Sequence, residues 1–283
     1  MSSARFAVSS DLADPSCTFR PVDENLDHDQ RWSTWLSVER GARGPRPRPE
    51  WVVTDDSAVD TELGVLKTGK EADVHLVERA SRTDPRRSVV MAAKRYRAAE
   101  HRSFRRSTTY TEGRRVRDTR DMRAMAKGTA HGREVAAGQW AAAEWEALCS
   151  LWTAGVPVPY PVQVDGTEIL MEYVSVDDAA APRLAQTRPE AALRDAWFDQ
   201  LREAMGQLAR RQLAHGDLSA YNILAAGERL VIIDLPQVVD IVANPRGSEL
   251  LLRDCINVCS WFRARGADAD PHELHADLVA QAW

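Results

Sequence analysis

Residues 215–235 read His-Gly-Asp-Leu-Ser-Ala-Tyr-Asn-Ile-Leu-Ala-Ala-Gly-Glu-Arg-Leu-Val-Ile-Ile-Asp-Leu. The apolar run at residues 230–233 is typical of a short buried β-strand, and Asp234 follows this strand directly. Asp217 and Asn222 lie five residues apart in a segment that is neither regular helix nor strand. Because burying a carboxylate is costly unless it meets a cation, the position of Asp234 predicts a cationic partner.

These three polar side chains suit phosphoryl transfer. An amide oxygen and a carboxylate are good ligands for Mg²⁺ (or Mn²⁺), which completes its coordination with water and substrate phosphates. We therefore predict Asn222 and Asp234 as metal ligands and Asp217 as the catalytic base that orients an acceptor hydroxyl. Phosphoryl-transfer enzymes of the kinase fold use this spacing. The alternative is that all three residues only cap loops and form turns.

Composition indicates an ordinary globular protein. The 283 residues are 44% hydrophobic and 28% charged, which suffices for two lobes or one large domain with a well-buried core. The sequence contains neither an apolar run long enough to span a bilayer nor a signal-peptide core, so we expect a cytoplasmic protein without a membrane partner. We interpret all four cysteines as reduced core thiols rather than metal ligands or disulfides: Cys17, Cys149, Cys255 and Cys259.

Residues 1–50 are predicted to be an extension whose function the sequence does not reveal. Trp32, Trp35 and Leu36 have the spacing of a short amphipathic helix. A run of alternating Arg and Pro follows, which favours an extended and stiff linker.

A hairpin is predicted at residues 63–77. Two strand-like runs flank a turn at Gly69, and a small residue at such a tip lets backbone N–H groups approach phosphate oxygens closely. One glycine does not distinguish a phosphate-binding tip from a plain hairpin.

Lys94 lies within the next predicted strand, residues 89–96. An ammonium group among apolar neighbours needs a negative partner. Glu144 lies on the apolar face of a helix predicted between residues 133 and 152, and a Lys–Glu pair that holds nucleotide phosphates is a feature of the kinase fold. The alternative is that Glu144 snorkels at the edge of that face.

Residues 95–133 form a basic segment. They contain twelve Arg or Lys against four Asp or Glu, although the whole chain has a net charge of −5. Such a segment is either a solvated face or a docking surface for RNA, the ribosome or an acidic protein. The sequence also allows a second helix around residues 122–125.

Residues 168–174 are predicted to be a strand that runs into a polar segment, at the place where a kinase has the hinge between its two lobes. Backbone groups at Glu172 and Val174 would then meet the adenine edge of ATP. Amphipathic helices are predicted at residues 190–211 and around residues 251–262, and the second of these is the last element that we predict.

With these motifs in view, the chain resembles the RIO family of atypical protein kinases, most closely its RIO1 branch. The family's phosphate loop, Ser-Thr-Gly-Lys-Glu-Ala, is similar to residues 67–72. The other similarities are the strand lysine, the Trp-x-x-x-Glu-x-x-x-Leu helix, the catalytic segment, the Ile-Asp-x-x-Gln metal segment and an Arg-Asp-Cys-x-Asn segment: Lys94, Trp140, Glu144, Leu148, and residues 215–224, 233–237 and 253–257. The resemblance covers about residues 60–266.

The resemblance implies an α+β, two-lobed protein-kinase-like fold without a full activation loop. Residues 51–171 would form a small β-rich N-lobe that includes the basic insertion, and residues 172–283 a reduced, mostly helical C-lobe. It also implies that Thr68, Gly69 and Lys70 cover the phosphates of ATP, while the strand lysine and the helical glutamate clamp them.

Three functions are compatible with these features. The first is an ATP- and Mg²⁺-dependent serine/threonine protein kinase. The second is an ATP-gated ribosome-assembly factor with slow hydrolysis; the resemblance implies this function and an aspartyl-phosphate on Asp234, which would make that residue catalytic as well. The third is a small-molecule phosphotransferase, which usually has a larger helical region after the catalytic loop. Two departures from the family, Pro236 in place of serine and the divergent insertion before Glu144, leave the ATP site intact and put the partner in doubt.

Overall fold

An antiparallel sheet of six strands forms the first part of the molecule. The computed structural model describes residues 26–84, 86–97 and 130–282. The sheet consists of β1 (Gln30–Trp32), β2 (Ala58–Thr68), β3 (Ala72–Ser81), β4 (Ser88–Tyr96), β5 (Pro161–Asp165) and β6 (Glu168–Glu172). Its strand order is β1-β2-β3-β4-β6-β5. The predicted hairpin and the predicted strand that carries Lys94 are confirmed.

Helices dominate the second part. Helix α1 (Ala130–Thr153) precedes β5 and packs against the sheet. After β6 come β7 (Ser175–Val176), β8 (Ala179–Ala180), a 3-10 turn (Leu184–Gln186), α2 (Ala191–Ala209), β9 (Leu213–Ala214), β10 (Ile223–Ala226), β11 (Arg229–Ile232), β12 (Val239–Asp240), α3 (Gly247–Arg263) and α4 (Pro271–Ala282). The short strands pair as three antiparallel ribbons, β7 with β8, β10 with β11, and β9 with β12.

The two faces of the six-stranded sheet belong to different hydrophobic clusters because successive side chains of a strand point to opposite sides. On β6, Ile169 and Met171 join the large core that contains α1, α2 and α3, whereas Leu170 between them joins a smaller outer cluster. The outer cluster also contains Trp35 and Val52. We call these two sides the cleft face and the outer face.

The predicted helix through Trp32, Trp35 and Leu36 is wrong. Trp32 ends β1, which pairs with β2, and Trp35 is buried in the outer cluster. Arg43 donates to the carbonyl of Leu36, and Arg48 lies over the Trp35 ring. A few residues cannot form a stable helix alone, while the strand gains ladder bonds to an existing sheet. Residues 26–50 therefore pack on the β-rich lobe and do not extend from it.

Helix α4 was not predicted. Asp270 accepts the backbone N–H groups of His272 at 2.8 Å and Glu273 at 3.0 Å, and Pro271 occupies the first helical position. An Asp cap followed by Pro is a helix-start signal, and Leu274 begins the buried face, so the sequence did contain the information.

The cysteines, the basic segment and the expected absence of a membrane span remain to be compared with the structure. Cys149, Cys255 and Cys259 are free thiols, and burial raises the pKa of Cys149 and of Cys255 to about 12. Cys17, the predicted helix around residues 122–125 and residues 98–129 of the basic segment lie outside the described residues. Among the helices of the described chain, none combines the length and the apolar character that crossing a membrane requires.

Candidate active site

The loop between β9 and β10 carries Asp217 and Asn222. Asn222 donates through Nδ2 to the carbonyl of Asp217 at 2.9 Å, and its backbone N–H donates to the carbonyl of Ser219 at 2.9 Å. The carbonyl of Asn222 accepts the N–H of Ile233 at 2.9 Å. These bonds fix the loop beside the strand that leads to Asp234, so the three residues predicted from the opening stretch lie on adjoining segments.

The buried imidazole of His215 also links the loop to the strand that leads to Asp234. The Nδ1 atom of His215 accepts the N–H of Asp217 at 3.3 Å, and its Nε2 lies 3.1 Å from the carbonyl oxygen of Ile233. The tautomer with its proton on Nε2 satisfies both contacts. His215 therefore ties the Asp217 segment to the residue that precedes Asp234, a role that the sequence analysis did not assign.

Helix α3 holds the loop through its backbone. The two carboxylate oxygens of Asp254 accept the N–H groups of Gly216 and Leu218, each at 2.8 Å, and Asn257 donates to the carbonyl of Leu218 at 3.0 Å. Burial raises the pKa of Asp254 to about 6, and the nearby His215 and the two backbone donors oppose this effect. The sequence of this segment resembles the family but predicts no role for it. An aspartate on the apolar face of α3 was the signal, because a buried carboxylate needs donors.

Asp217 faces outward. Its side chain is 53% exposed, and one carboxylate oxygen lies 3.8 Å from a terminal nitrogen of Arg253, which also donates to the carbonyl of Gly216. The carboxylate is thus supported by a fixed loop yet reachable from solvent, as a base that meets an acceptor hydroxyl must be.

Lys94 is bound between two carboxylates. Its ammonium nitrogen lies 2.7 Å from Glu144 Oε1 and 2.9 Å from Asp234 Oδ1, so the predicted Lys–Glu contact is confirmed. Glu144 also accepts the hydroxyl of Tyr96 at 2.5 Å and the N–H of Leu235 at 3.3 Å. Burial opposes the charge on Lys94, but Glu144, Tyr96 and Asp234 together hold the pKa of its ammonium well above the usual value. Glu144 is thus buried within the site and does not snorkel.

Asp234 occupies an unusual backbone conformation at the edge of this cluster. Its φ of 68° lies in the left-handed region, where Asp is tolerated better than most residues. The carboxylate is 48% exposed. Partial burial opposes its ionisation, yet Lys94 outweighs that effect and lowers the pKa of Asp234. Lys94 is therefore a cationic partner of Asp234 that the sequence did not predict, because the cation expected there was a metal ion. The metal-ligand role of Asp234 stays a prediction.

The hairpin tip between β2 and β3 is the segment predicted to cover the phosphates. The N–H of Gly69 donates to the carbonyl of Ala72 at 3.0 Å, and a Cβ on Gly69 would lie only 2.7 Å from that oxygen, so the tip needs glycine. Burial raises the pKa of the Glu71 carboxyl, and the charges of Asp234 and Asp217 raise it further. Glu71, which follows the tip, is therefore close enough to both aspartates to interact with their charges. The contact of Thr68, Gly69 and Lys70 with phosphate stays a prediction.

The predicted hinge residues lie where the sheet meets the helical lobe. The N–H of Glu172 donates to the carbonyl of Tyr160 at 2.9 Å, and its carboxylate contacts Arg229 at 3.1 Å. Val174 is buried, and its carbonyl accepts the N–H of Ala181 at 3.0 Å. These bonds fix the chain between the lobes, and the adenine contacts of Glu172 and Val174 stay a prediction.

The donor set fits a nucleotide-bound divalent metal. Because Nδ2 of Asn222 is engaged by the Asp217 carbonyl, Oδ1 is the amide atom that would meet an ion. Asp234 adds a half-exposed carboxylate. Within residues 26–84, 86–97 and 130–282, no three His, Cys, Asp or Glu side chains are grouped to hold a metal ion. The remaining ligands would thus be water and phosphate oxygens, as is usual for Mg²⁺.

A β-rich lobe whose lysine pairs with a helical glutamate, joined to a helical lobe that carries the polar loop, is the arrangement of the protein-kinase-like fold. The sequence profile of the RIO1 family, described as the RIO domain, matches residues 75–274. The chain therefore belongs to the RIO-domain family. The family resemblance and the two-lobed α+β fold predicted from the sequence are both confirmed.

Named relatives agree with this membership. The chain is 37% identical over 226 residues to the RIO-type serine/threonine-protein kinase Rio1 of Haloferax volcanii, covering 79% of this chain and 70% of the relative. It is 30% identical over 135 residues to Rio1 of Thermoplasma acidophilum, covering 48% and 69%. The crystal structure of the Rio2 kinase from Chaetomium thermophilum matches with a TM-score of 0.53 and 22% identity, which supports the fold. That match covers 78% of this chain and 63% of the fungal chain.

Proposed function

We propose that this protein is an ATP- and divalent-metal-dependent protein kinase of the RIO type, which transfers the terminal phosphoryl group to serine or threonine. The observation that carries the proposal is the position of Lys94, 2.7 Å from Glu144 and 2.9 Å from Asp234, beside the loop that holds Asp217 and Asn222. The names of the two archaeal relatives support the same activity.

Each residue has a separate task in this proposal. Lys94, held by Glu144, neutralises phosphate oxygens as a compact point charge. Asn222 and Asp234 hold the metal, which when bound offsets the charge of the transferring phosphoryl group. Asp217 accepts the proton of the acceptor hydroxyl. Its exposed carboxylate on a fixed loop suits this step, because general bases act through correct placement.

Nucleotide recognition is assigned to two short segments. The backbone N–H groups at Thr68, Gly69 and Lys70 would cover the phosphates, since a glycine tip allows close approach. Backbone groups at Glu172 and Val174 would meet the adenine edge. The protein acceptor and any ribosomal or RNA contact through residues 95–133 stay predictions, as does a cytoplasmic location.

A second candidate function is a slow ATPase that acts as an assembly factor and carries a phosphoryl group on Asp234. Ser219 stands two residues after Asp217, where many protein kinases have a lysine near the transferring phosphate, and this favours the candidate. The direct contact of Asp234 with Lys94 keeps that carboxylate ionised, as a nucleophile must be. A small-molecule phosphotransferase is not favoured by the family membership.

The test measures where the phosphate of γ-labelled ATP goes. A protein kinase transfers label to serine or threonine of a polypeptide, whereas an ATPase releases it to water. Asp217→Asn should keep Mg·ATP affinity and lower transfer about 10²- to 10⁴-fold. Asp234→Ala should weaken Mg²⁺-dependent binding itself. Asp268→Asn, on the exposed loop before α4, is the matched control. Full transfer by Asp217→Asn would contradict the proposal.

A further inference from the structure

Lys67 shares a row of the sheet with the site lysine. It pairs with Val74 on β3, and Val74 pairs with Lys94 on β4. Side chains of residues that are paired across antiparallel strands point to the same side of the sheet. Lys67 therefore projects from the cleft face, two strands away from Lys94, which is about 10 Å.

Arg183 is a second cation near the site, and it belongs to the helical lobe. It precedes the 3-10 turn Leu184–Gln186, and its guanidinium donates to the carbonyl of Tyr221. Tyr221 is the residue before Asn222, so Arg183 is anchored on the loop that carries the predicted metal ligand and base. One cation thus comes from each lobe.

The two cations and the site share one electrostatic environment. Lys67 is exposed, yet partial desolvation and the positive charges of Arg183 and Lys94 lower the pKa of its ammonium, while Asp234 raises it. Asp234 is the nearby negative charge, and a metal ion bound to Asp234 would neutralise it. Lys67 and Arg183 would then repel each other unless another anion lay between them.

We propose that Lys67 and Arg183 form a two-lobe clamp on the phosphates of the bound nucleotide. This inference rests on the proposed function and adds a specificity to it, since the clamp makes affinity depend on the number of phosphates. Mg·ATP retains net negative charge and supplies the anion that both cations require. Binding would also draw the hairpin of the β-rich lobe toward the loop of the helical lobe.

The clamp is tested by binding alone, which requires no turnover. Titration calorimetry would compare Mg·ATP, Mg·ADP and adenosine for the full-length wild type, Lys67→Gln, Arg183→Gln and the double variant. Each single variant should weaken the binding of Mg·ATP about tenfold, which is about 1.4 kcal/mol, because it loses one hydrogen bond to a charged group. The binding of Mg·ADP should weaken less, and the binding of adenosine should stay unchanged. The double variant should lose less than the product of the two single losses, because both cations hold the same group.

Controls separate the clamp from general charge effects. Lys67→Arg should retain most of the affinity for Mg·ATP. Arg86→Gln removes a 91% exposed cation from the same lobe and should change nothing. Equal weakening of adenosine and ATP, or unchanged ATP affinity with a higher KM for a protein acceptor, would overturn the clamp alone. A wild type that binds no nucleotide would overturn the proposed function and the clamp together.

Discussion

Two cations, one fully buried and one largely buried, lie on opposite faces of the same sheet, and their surroundings differ. Arg79, on the outer face, is fully buried; Nε and Nη2 donate to the two oxygens of Asp60 at 2.6 and 2.8 Å, and Nη1 donates to Gln163 at 2.9 Å. Lys94, on the cleft face, has one buried partner, Glu144, and one half-exposed partner, Asp234. Five positions separate Arg79 from the residue paired with Lys94, which places the two cations on opposite sides.

The difference separates a structural charge from a functional one. The planar guanidinium of Arg79 is matched by a carboxylate and an amide that are both buried, so its bonds cannot change without unfolding part of the lobe. The ammonium of Lys94 is a point charge that can move among several oxygens. Asp234 is half-exposed, so in the proposed function nucleotide phosphates would take its place beside Lys94 while Glu144 holds the lysine.

The largest expected effect is on the outer face. Asp60→Ala leaves the guanidinium of Arg79 buried without its carboxylate, and breaking a buried pair costs about 3–5 kcal/mol of the free energy of unfolding. Urea denaturation would measure the loss, with the exposed Asp56→Ala as control. The affinity of the folded fraction for Mg·ATP should stay unchanged. A loss below about 1 kcal/mol, the range of surface pairs, would contradict the structural role of Arg79.

On the cleft face the effect should fall on turnover. Lys94→Arg keeps the charge but not its shape, so it should fail as badly as Lys94→Ala, with turnover lower by about 10²- to 10³-fold. The reciprocal change, Arg79→Lys, should lower the free energy of unfolding and spare turnover per folded molecule. Steady-state kinetics and urea denaturation of both variants make the comparison complete. Near-normal ATP turnover by Lys94→Arg would remove Lys94 from the active site.

The sequence predicted the cleft face better than the outer face. Lys94, Glu144, Asp217, Asn222 and Asp234 were predicted because each is a polar residue in an apolar or irregular segment whose chemistry demands a partner. The partners of Arg79 could not be found in this way, because they depend on the register of strands that are far apart in the chain. The strand at Gln30–Trp32 was missed for the same reason, since its ladder bonds come from β2.

A third buried ionisable group, Asp254, extends the comparison. Its donors are backbone N–H groups, whereas the partners of Arg79 and Lys94 are side chains. Its pKa is about 6 in the folded protein against an ordinary value of 3.8. The folded state therefore holds this proton more tightly, so the contribution of Asp254 to stability falls as pH rises from about 4 to about 6, by about 3 kcal/mol in all.

Substitution isolates this pH dependence. The difference in the free energy of unfolding between wild type and Asp254→Asn, measured by urea denaturation at several pH values, should become less favourable to the wild type between pH 4 and 6, and should be constant above about pH 7. Asn also loses one acceptor for the loop N–H groups, which adds an offset that does not depend on pH. A difference that does not change over this range would show that burial is not perturbing Asp254.

The smallest effects come from a matched pair of hydroxyl deletions, one on each face. Tyr96→Phe removes the donor to Glu144 but keeps the ring 5.3 Å from the ammonium of Lys94. A hydrogen bond to a charged group contributes about 1.5–3 kcal/mol, so both the free energy of unfolding and turnover should fall, turnover by several-fold, because Glu144 then holds Lys94 less firmly.

Tyr160→Phe removes a hydroxyl that donates to the carbonyl of Pro45 at 2.9 Å on the outer face. This neutral bond contributes about 0.5–1.5 kcal/mol, and its loss should leave turnover unchanged. Thermal denaturation and steady-state kinetics of the two variants decide the comparison. If Tyr160→Phe lowered turnover as much as Tyr96→Phe, the two faces would be mechanically coupled, and the separation between a structural outer face and a functional cleft face would be wrong.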